Sequence, residues 1–326
     1  MREPLTILVV VLAILIQATY FNVDIGLLIL SLIFLYRALT FLIALQEQWN
    51  RFLGVSSSMD NMTQFTLELR NNKEKNGNLK FNSFKNKISL RNIYFNYDET
   101  IIIKGLNLEI FKNETIAVVG ESGSGKSTLM SILSGLLIPS QCEMFVDGKN
   151  ISEIDLNSFR RRIGYIAQEA LVFNDTVFNN ITFWEEKNSE NIEKFKEAIR
   201  KAALYDFVYL LQDKEDEILG SNGINISGGQ KQRLSIAREL YKDVDFLFMD
   251  EATSVLDGET EAVIQSNIDK LKGYYTIIMI AHRLATIKNA DRIVRLNGGR
   301  IEAVVTYKEL LETCSTFQDM IRLQEL

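Results

Sequence analysis

The nonapeptide Gly120-Glu121-Ser122-Gly123-Ser124-Gly125-Lys126-Ser127-Thr128 follows the β-type run 115–119 and precedes the apolar stretch 129–137. Strand, glycine-rich loop and helix in that order are the setting a G-x-x-x-x-G-K-[ST] phosphate loop requires. Its glycines let successive N–H groups turn inward around an anion, and the helix behind them offers its positive end to the same charge. Lys126 would reach the terminal phosphates and the Ser127 hydroxyl would ligate Mg2+. A glycine-rich turn with no ligand is the rival reading, and it leaves both flanks to coincidence. Farther on, the continuous apolar run Phe246-Leu247-Phe248-Met249 reads as a strand buried on both faces, and it ends in Asp250-Glu251. Alone, two acids there would be a solvated turn. Beside a phosphate loop, Asp250 would hold the metal directly or through water, while Glu251 would orient and deprotonate the attacking water.

The elements that must carry these groups form an α/β pattern. From Lys87 onward, β-type runs (88–94, 101–110, 115–119, 163–167, 246–249, 275–280 and 292–296) alternate with helical stretches, which predicts a largely parallel sheet. The mostly helical region 175–237 lies between two strand signals and reads as a subdomain set apart from the sheet. A net charge of -6 over 326 residues provides no basic field for nucleic acid, so phosphate binding must come from local amides and a few lysines. Cys142 and Cys314 show no metal-ligand spacing and read as reduced thiols without a role.

The N-terminal part differs in kind. Residues 5–18 are almost purely apolar, and after Asn22-Val23-Asp24 a second apolar run extends over 25–45, broken only by Arg37. At 1.5 Å per residue the second run spans roughly 31 Å, the thickness of a bilayer's hydrocarbon core. The reading adopted is a membrane hairpin turning at about residues 20 to 25, with both ends in the cytosol. A signal peptide in the first run, or two buried helices of a soluble core, are the alternatives. An apolar stripe through Trp49, Phe52, Leu53, Met59, Met62, Phe65 and Leu69 extends the second helix into the cytosol, so the membrane-associated unit is taken as 1–69. The polar stretch 70–86 reads as a flexible linker, and 87–326 as the main domain.

Ile226-Ser227-Gly228-Gly229-Gln230, followed by a helix over 231–241 and then the Asp250 strand, resembles the signature of ABC ATPases. Further elements of that family follow in order. Tyr97 in Phe-Asn-Tyr resembles the aromatic that stacks on adenine, Gln168 resembles the Q-loop glutamine that also reaches the metal, Ser254–Asp257 resembles the D-loop, and His282 resembles the switch histidine. Gly220–Gly223 is similar to the segment before the signature in exporters. The resemblance covers residues 87–326 and implies ATP and Mg2+ as ligands and ATP hydrolysis as the activity. It implies a head-to-tail pair of ATPase domains, homodimeric or heterodimeric. Lys126, Ser127, Gln168, Asp250, Glu251 and His282 of one domain would then face Ser227, Gly228, Gly229 and Gln230 of the other across a shared nucleotide. It further implies a transport-coupled protein of the cell membrane, the bacterial inner membrane, with its ATPase domain in the cytoplasm and no nucleic-acid partner.

Exporters of this type carry six membrane helices before each ATPase domain, and the apolar runs here suffice for two, which look like the last two. Another chain supplying the remainder, a truncated transporter, or an ABC ATPase uncoupled from transport are the readings that this difference leaves open. The stretch 46–52, Gln-Glu-Gln-Trp-Asn-Arg-Phe, resembles exporters of lipid-linked oligosaccharide, which makes a lipid-like substrate the expectation.

Overall fold

A computed structural model of the chain describes residues 3–20, 25–71, 73–74, 76–139, 143–250, 258–281 and 287–313. They fall into two compact units, Met1–Glu74 and Lys75–Leu326.

The first unit consists of α1 (Glu3–Tyr20) and α2 (Ile25–Asn71). Among the described residues one helix, over Gly26–Asn71, is long and apolar enough to cross a membrane, while the apolar part of α1 over Ile7–Gln17 is shorter. In neither is the apolar surface buried among the described residues. Leu8, Leu27, Phe34 and Phe41 each leave more than half of their surface exposed, and contiguous apolar surface of that kind requires lipid or a protein partner. The α-helix continues without a break past the apolar run to Asn71, and Trp49, Phe52, Met59, Met62 and Phe65 are exposed along it.

In the second unit the sheet signals divide between two sheets. A four-stranded antiparallel sheet has the order β2-β1-β4-β5, from β1 (Lys87–Tyr97), β2 (Thr100–Phe111), β4 (Met144–Val146) and β5 (Lys149–Asn150). A six-stranded sheet has the order β10-β9-β3-β8-β7-β6, from β3 (Thr115–Gly120), β6 (Ile163–Ile166), β7 (Phe246–Asp250), β8 (Thr276–Ile280), β9 (Arg292–Asn297) and β10 (Arg300–Val305). All its pairs are parallel except β9 with β10. The inner strands β7 and β8 are buried at almost every position, which is why they appear as unbroken apolar runs rather than alternating ones.

Helix α3 (Lys126–Leu133) packs between the two sheets, with Leu129, Met130, Ile132 and Leu133 fully buried in the cluster that also holds Ile88, Ile110 and Phe246. The subdomain over the second face contains α5 (Val177–Thr182), α6 (Ser189–Lys201), α7 (Tyr205–Leu210) and α8 (Gly228–Tyr241). Helix α4 (Leu156–Arg160) precedes β6, and α9 (Gly258–Leu271) and α10 (Tyr307–Thr313) are further α-helices among the described residues.

Arg238 of α8 joins the subdomain internally. It is 5% exposed, packs against the adjacent rings of Phe173 and Phe183 at 5.4 and 5.3 Å, and donates Nε–H to the Asn180 carbonyl at 2.7 Å. Its hydrogen bonds among the described residues run to Asn180 and not to a carboxylate, and burial pushes its guanidinium below the ordinary value.

Part of the stretch expected as a linker is packed. Asn76 donates to the Asp155 carboxylate at 2.7 Å and accepts from Leu156 N–H at 2.6 Å, and Leu79 bridges to Ile154. Phe84 is fully buried, with its ring centroid 4.5 Å from that of Phe246. Two phenylalanines and a leucine at irregular spacing give no period, so the sequence pattern does not betray a strap held by isolated anchors.

Candidate active site

Register fixes where the candidate groups meet. In the parallel sheet, Val118 of β3 pairs with Ile280 of β8, Ile280 pairs with Asp250 of β7, and Met249 pairs with Ile166 of β6. The carboxyl ends of β3, β8, β7 and β6 therefore share one edge, where open α/β sheets bind ligands. The phosphate loop leaves β3 there, Asp250 closes β7, and Gln168 follows β6 by two residues. Glu251 and His282, expected from the chain as base and switch, lie outside the described residues, as do Ser254–Asp257.

The loop's shape depends on its glycines at the positions where they are needed. Gly125, at φ 102°, is the N-cap of α3, and an added Cβ would lie 3.0 Å from Ile103 Cδ1. At Gly120 a Cβ would lie 2.3 Å from the Leu296 carbonyl oxygen of β9, so the loop begins in backbone contact with the neighbouring strand. Gly123, at φ 78°, has open space where a Cβ would stand. The Lys126 ammonium, itself largely buried, donates to the carbonyls of Gly120 and Glu121, both at 2.9 Å. This draws the start of the loop over the start of α3. Ser127 is exposed in the first turn, among N–H groups for which a helix provides no carbonyl partner. A phosphate fits that arrangement of amides and ammonium. Glu121, Ser122 and Thr128 form the remainder of the loop, and Ser124 is buried within it.

The groups expected to hold a metal are the Ser127 hydroxyl, the Asp250 carboxylate and the Gln168 amide. Oxygen-only donors with a single carboxylate suit Mg2+, which keeps waters and takes phosphate oxygens to complete its shell. Asp250 accepts from Tyr165 Oη at 3.3 Å. Burial, and next the Asp250 carboxylate, push the Tyr165 phenol up to about 12, so it remains a donor at neutral pH. The sequence pattern marks Asp250 but not Tyr165, because a tyrosine in a strand reads as packing; its ring does stack on Phe248 at 6.4 Å.

Tyr97 ends β1 half-exposed, its ring edge-on to that of the buried Phe95 at 4.9 Å, which leaves a face open for a flat ligand. Ser227 caps α8 in a reciprocal box: its hydroxyl accepts from Gln230 N–H at 3.3 Å, and its own N–H donates to Gln230 Oε1 at 2.8 Å. Gly228 has no atom within 4 Å of an added Cβ. The described hydrogen bonds of Ser227 and Gln230 stay within their own helix. Helix α8 lies along β6, with Glu239 accepting from Tyr165 N–H and Gln232 donating to the Ala167 carbonyl. Because β8 and β7 separate β6 from β3, β6, along which α8 lies, stands roughly 14 Å from the strand bearing the phosphate loop at ~4.8 Å per strand. The structure thus brings the loop, Asp250 and Gln168 to one edge and keeps the Ser227–Gln230 turn to one side.

Comparison with known proteins accords with this geometry. The family described as ABC transporter matches residues 103–254. An ATP-dependent lipid A-core flippase of Syntrophus aciditrophicus is 40% identical over 238 residues, 73% of this chain and 39% of that protein. ABC transporter B family member 2 of Dictyostelium discoideum is 39% identical over 241 residues, 73% of this chain and 17% of that protein. A solved bacterial Atm1-family ABC exporter with ATP bound aligns at a TM-score of 0.79 and 28% identity, over 98% of this chain and 58% of that one. The chain thus spans about two fifths of the length of the flippases it matches. Residues 103–254 thus match the ABC transporter family, and the fold is similar to that of a solved ABC exporter.

Proposed function

We propose that this chain is the ATPase part of an ABC exporter, binding ATP with Mg2+ and hydrolysing it to ADP and phosphate to drive a substrate across a membrane. The observation that carries the reading is the loop 120–128, with Lys126 drawn over its start and Asp250 and Gln168 at the same sheet edge. In this reading Tyr97 stacks on the base, the loop amides and Lys126 hold the phosphates, and Ser127, Gln168 and Asp250 hold the metal. Bound Mg2+ would neutralise charge that develops between the β- and γ-phosphates. Glu251 takes the proton from the attacking water, and His282 contacts the γ-phosphate.

The Ser227–Gln230 turn, one side away from its own loop, is suited to a second ATPase domain's nucleotide, to which the N–H groups at the start of α8 would donate. We infer a head-to-tail pair, with the same chain or a related one. The membrane-associated unit is 1–69 and the ATPase domain 87–326, with a helical part over about 175–237. The hairpin would sit in the cell membrane, the bacterial inner membrane, beside further membrane helices, with the ATPase domain in the cytoplasm. A lipid-like substrate is proposed from the similarity to ATP-dependent lipid A-core flippases.

The test is Glu251→Gln in the full chain reconstituted in nanodiscs. Hydrolysis should be abolished while ATP binding persists and a paired species accumulates with ATP and Mg2+. Turnover at the wild-type rate would remove Glu251 from its role, and a variant that never pairs would remove the shared site.

A further inference from the structure

The turn between β9 and β10 touches two parts of the proposed site that are far apart in sequence. Gly299 donates its N–H to the Ser124 carbonyl inside the phosphate loop at 3.2 Å. Its own carbonyl accepts from Lys104 N–H at 2.9 Å, in the strand that pairs with the Tyr97 strand. One peptide on each side of a single residue therefore joins the loop to the hairpin bearing the aromatic face. The residue must be glycine on two counts. Its φ is 83°, and an added Cβ would lie 2.0 Å from the Ile102 carbonyl oxygen, which is backbone and cannot rotate aside.

A side-chain path runs parallel to this one. Tyr97 meets the ring of Phe95, Phe95 is the cross-strand partner of the fully buried Ile103, and Ile103 Cδ1 approaches Gly125 at the head of α3. Neighbours opposite one another on a sheet lie roughly 5 Å apart. The aromatic face and the phosphate loop are thus held at a set separation by a backbone joint and a packed spacer together.

We propose that Gly299 is a positioning residue for base recognition: its two hydrogen bonds clasp the phosphate loop to the β1–β2 hairpin and set the span between Tyr97 and the phosphates. This rests on the nucleotide reading above. A nucleoside triphosphate gains from the clasp because its base and phosphates are covalently linked and must be met together. A ligand made only of phosphates uses one end of the span and gains nothing from its length.

The experiment measures dissociation constants of MgATP and of Mg-tripolyphosphate by calorimetry on the full chain in nanodiscs, for wild type, Gly299→Ala and Gly298→Ala. Gly298 has a similar backbone (φ 51°) but open space where a Cβ would stand, so it carries the conformational strain without the collision. Wild type should bind ATP more tightly than tripolyphosphate by on the order of tenfold or more, the scale of one base on an aromatic face. Gly299→Ala should shrink that ratio by at least about fivefold, while Gly298→Ala leaves it unchanged. An equal loss for both ligands in Gly299→Ala, or the same ratio change in Gly298→Ala, overturns the proposal. Should Gly299→Ala not fold, Phe95→Leu shortens the packed spacer and must shrink the ratio too; an unchanged ratio there also overturns it. A wild-type chain that binds neither ligand would instead defeat the nucleotide reading itself.

Discussion

Tyr165→Phe removes one oxygen beside the proposed metal site and leaves the packing intact. The ring stacks on Phe248 with planes 12° apart, and phenylalanine keeps that contact. What is lost is the Oη donor to Asp250 Oδ2 at 3.3 Å. A hydrogen bond to a charged group contributes ~1.5–3 kcal/mol when short and well shielded. At this length and partial exposure about 1 kcal/mol is appropriate, roughly fivefold in a dissociation constant. Outer groups that orient metal-binding carboxylates cost about 10–100-fold when removed, so the expectation for this longer bond lies just below that range. The assay is the Mg2+ dependence of ATP hydrolysis at saturating nucleotide, with half-saturation rising by about fivefold and maximal rate changing less. The phenol's pKa is raised, so the fold favours its protonated form. That contribution is complete below the ordinary value near 10 and is lost only as pH climbs through about 12. The wild-type to variant ratio should accordingly stay flat from about pH 6 to about pH 9. An unchanged Mg2+ requirement would refute the placement of the metal on Asp250, and a ratio that collapses as pH rises from about 7 to about 9 would refute the protonated donor.

Lys126→Ala should weaken nucleotide binding by on the order of tenfold to a hundredfold, measured by equilibrium binding, since it removes the loop's only ammonium and charged hydrogen bonds to phosphate. Ser227→Ala breaks the capping box of α8 and should cost about 1 kcal/mol of stability; hydrolysis should fall while binding to the isolated loop, measured in the unpaired chain, is preserved. Phe84→Ala should lower the Tm by roughly 8 °C or more, from ~3–5 kcal/mol for a fully buried aromatic. A thermal melt of the full chain checks it, and a change within a degree would show that residues 76–86 are only a tether.

Legibility in the sequence followed physical distinctness. Strands β3, β7 and β8 are buried on both faces, so each appears as an apolar run that stops where the chemistry begins. The register of those strands then brings the loop and Asp250 to one edge. Strands β4 and β5 have three and two residues, too few for any period to emerge, and β10 alternates weakly at the sheet margin. With β1 and β2 they make an antiparallel sheet that an expectation of one largely parallel sheet did not separate. The strap around Phe84 and the Gly299 joint depend on contacts across about 160 and about 175 positions of chain, which no local pattern encodes. Tyr165 was hidden because its hydroxyl matters only once β6 and β7 are paired.

The burial of Arg238 against two aromatic rings bears on how the helical part is held together. Surface pairs such as Lys194 with Glu190 and Lys187 with Asp216 are exposed, and added salt weakens them. A buried guanidinium packed against Phe173 and Phe183 and tied to a backbone carbonyl is shielded from salt and has no proton to lose at neutral pH. Arg238 therefore ties the helix that begins at Ser227 to the segment 173–183 that follows Gln168 by contacts that depend less on ionic strength than those surface pairs do.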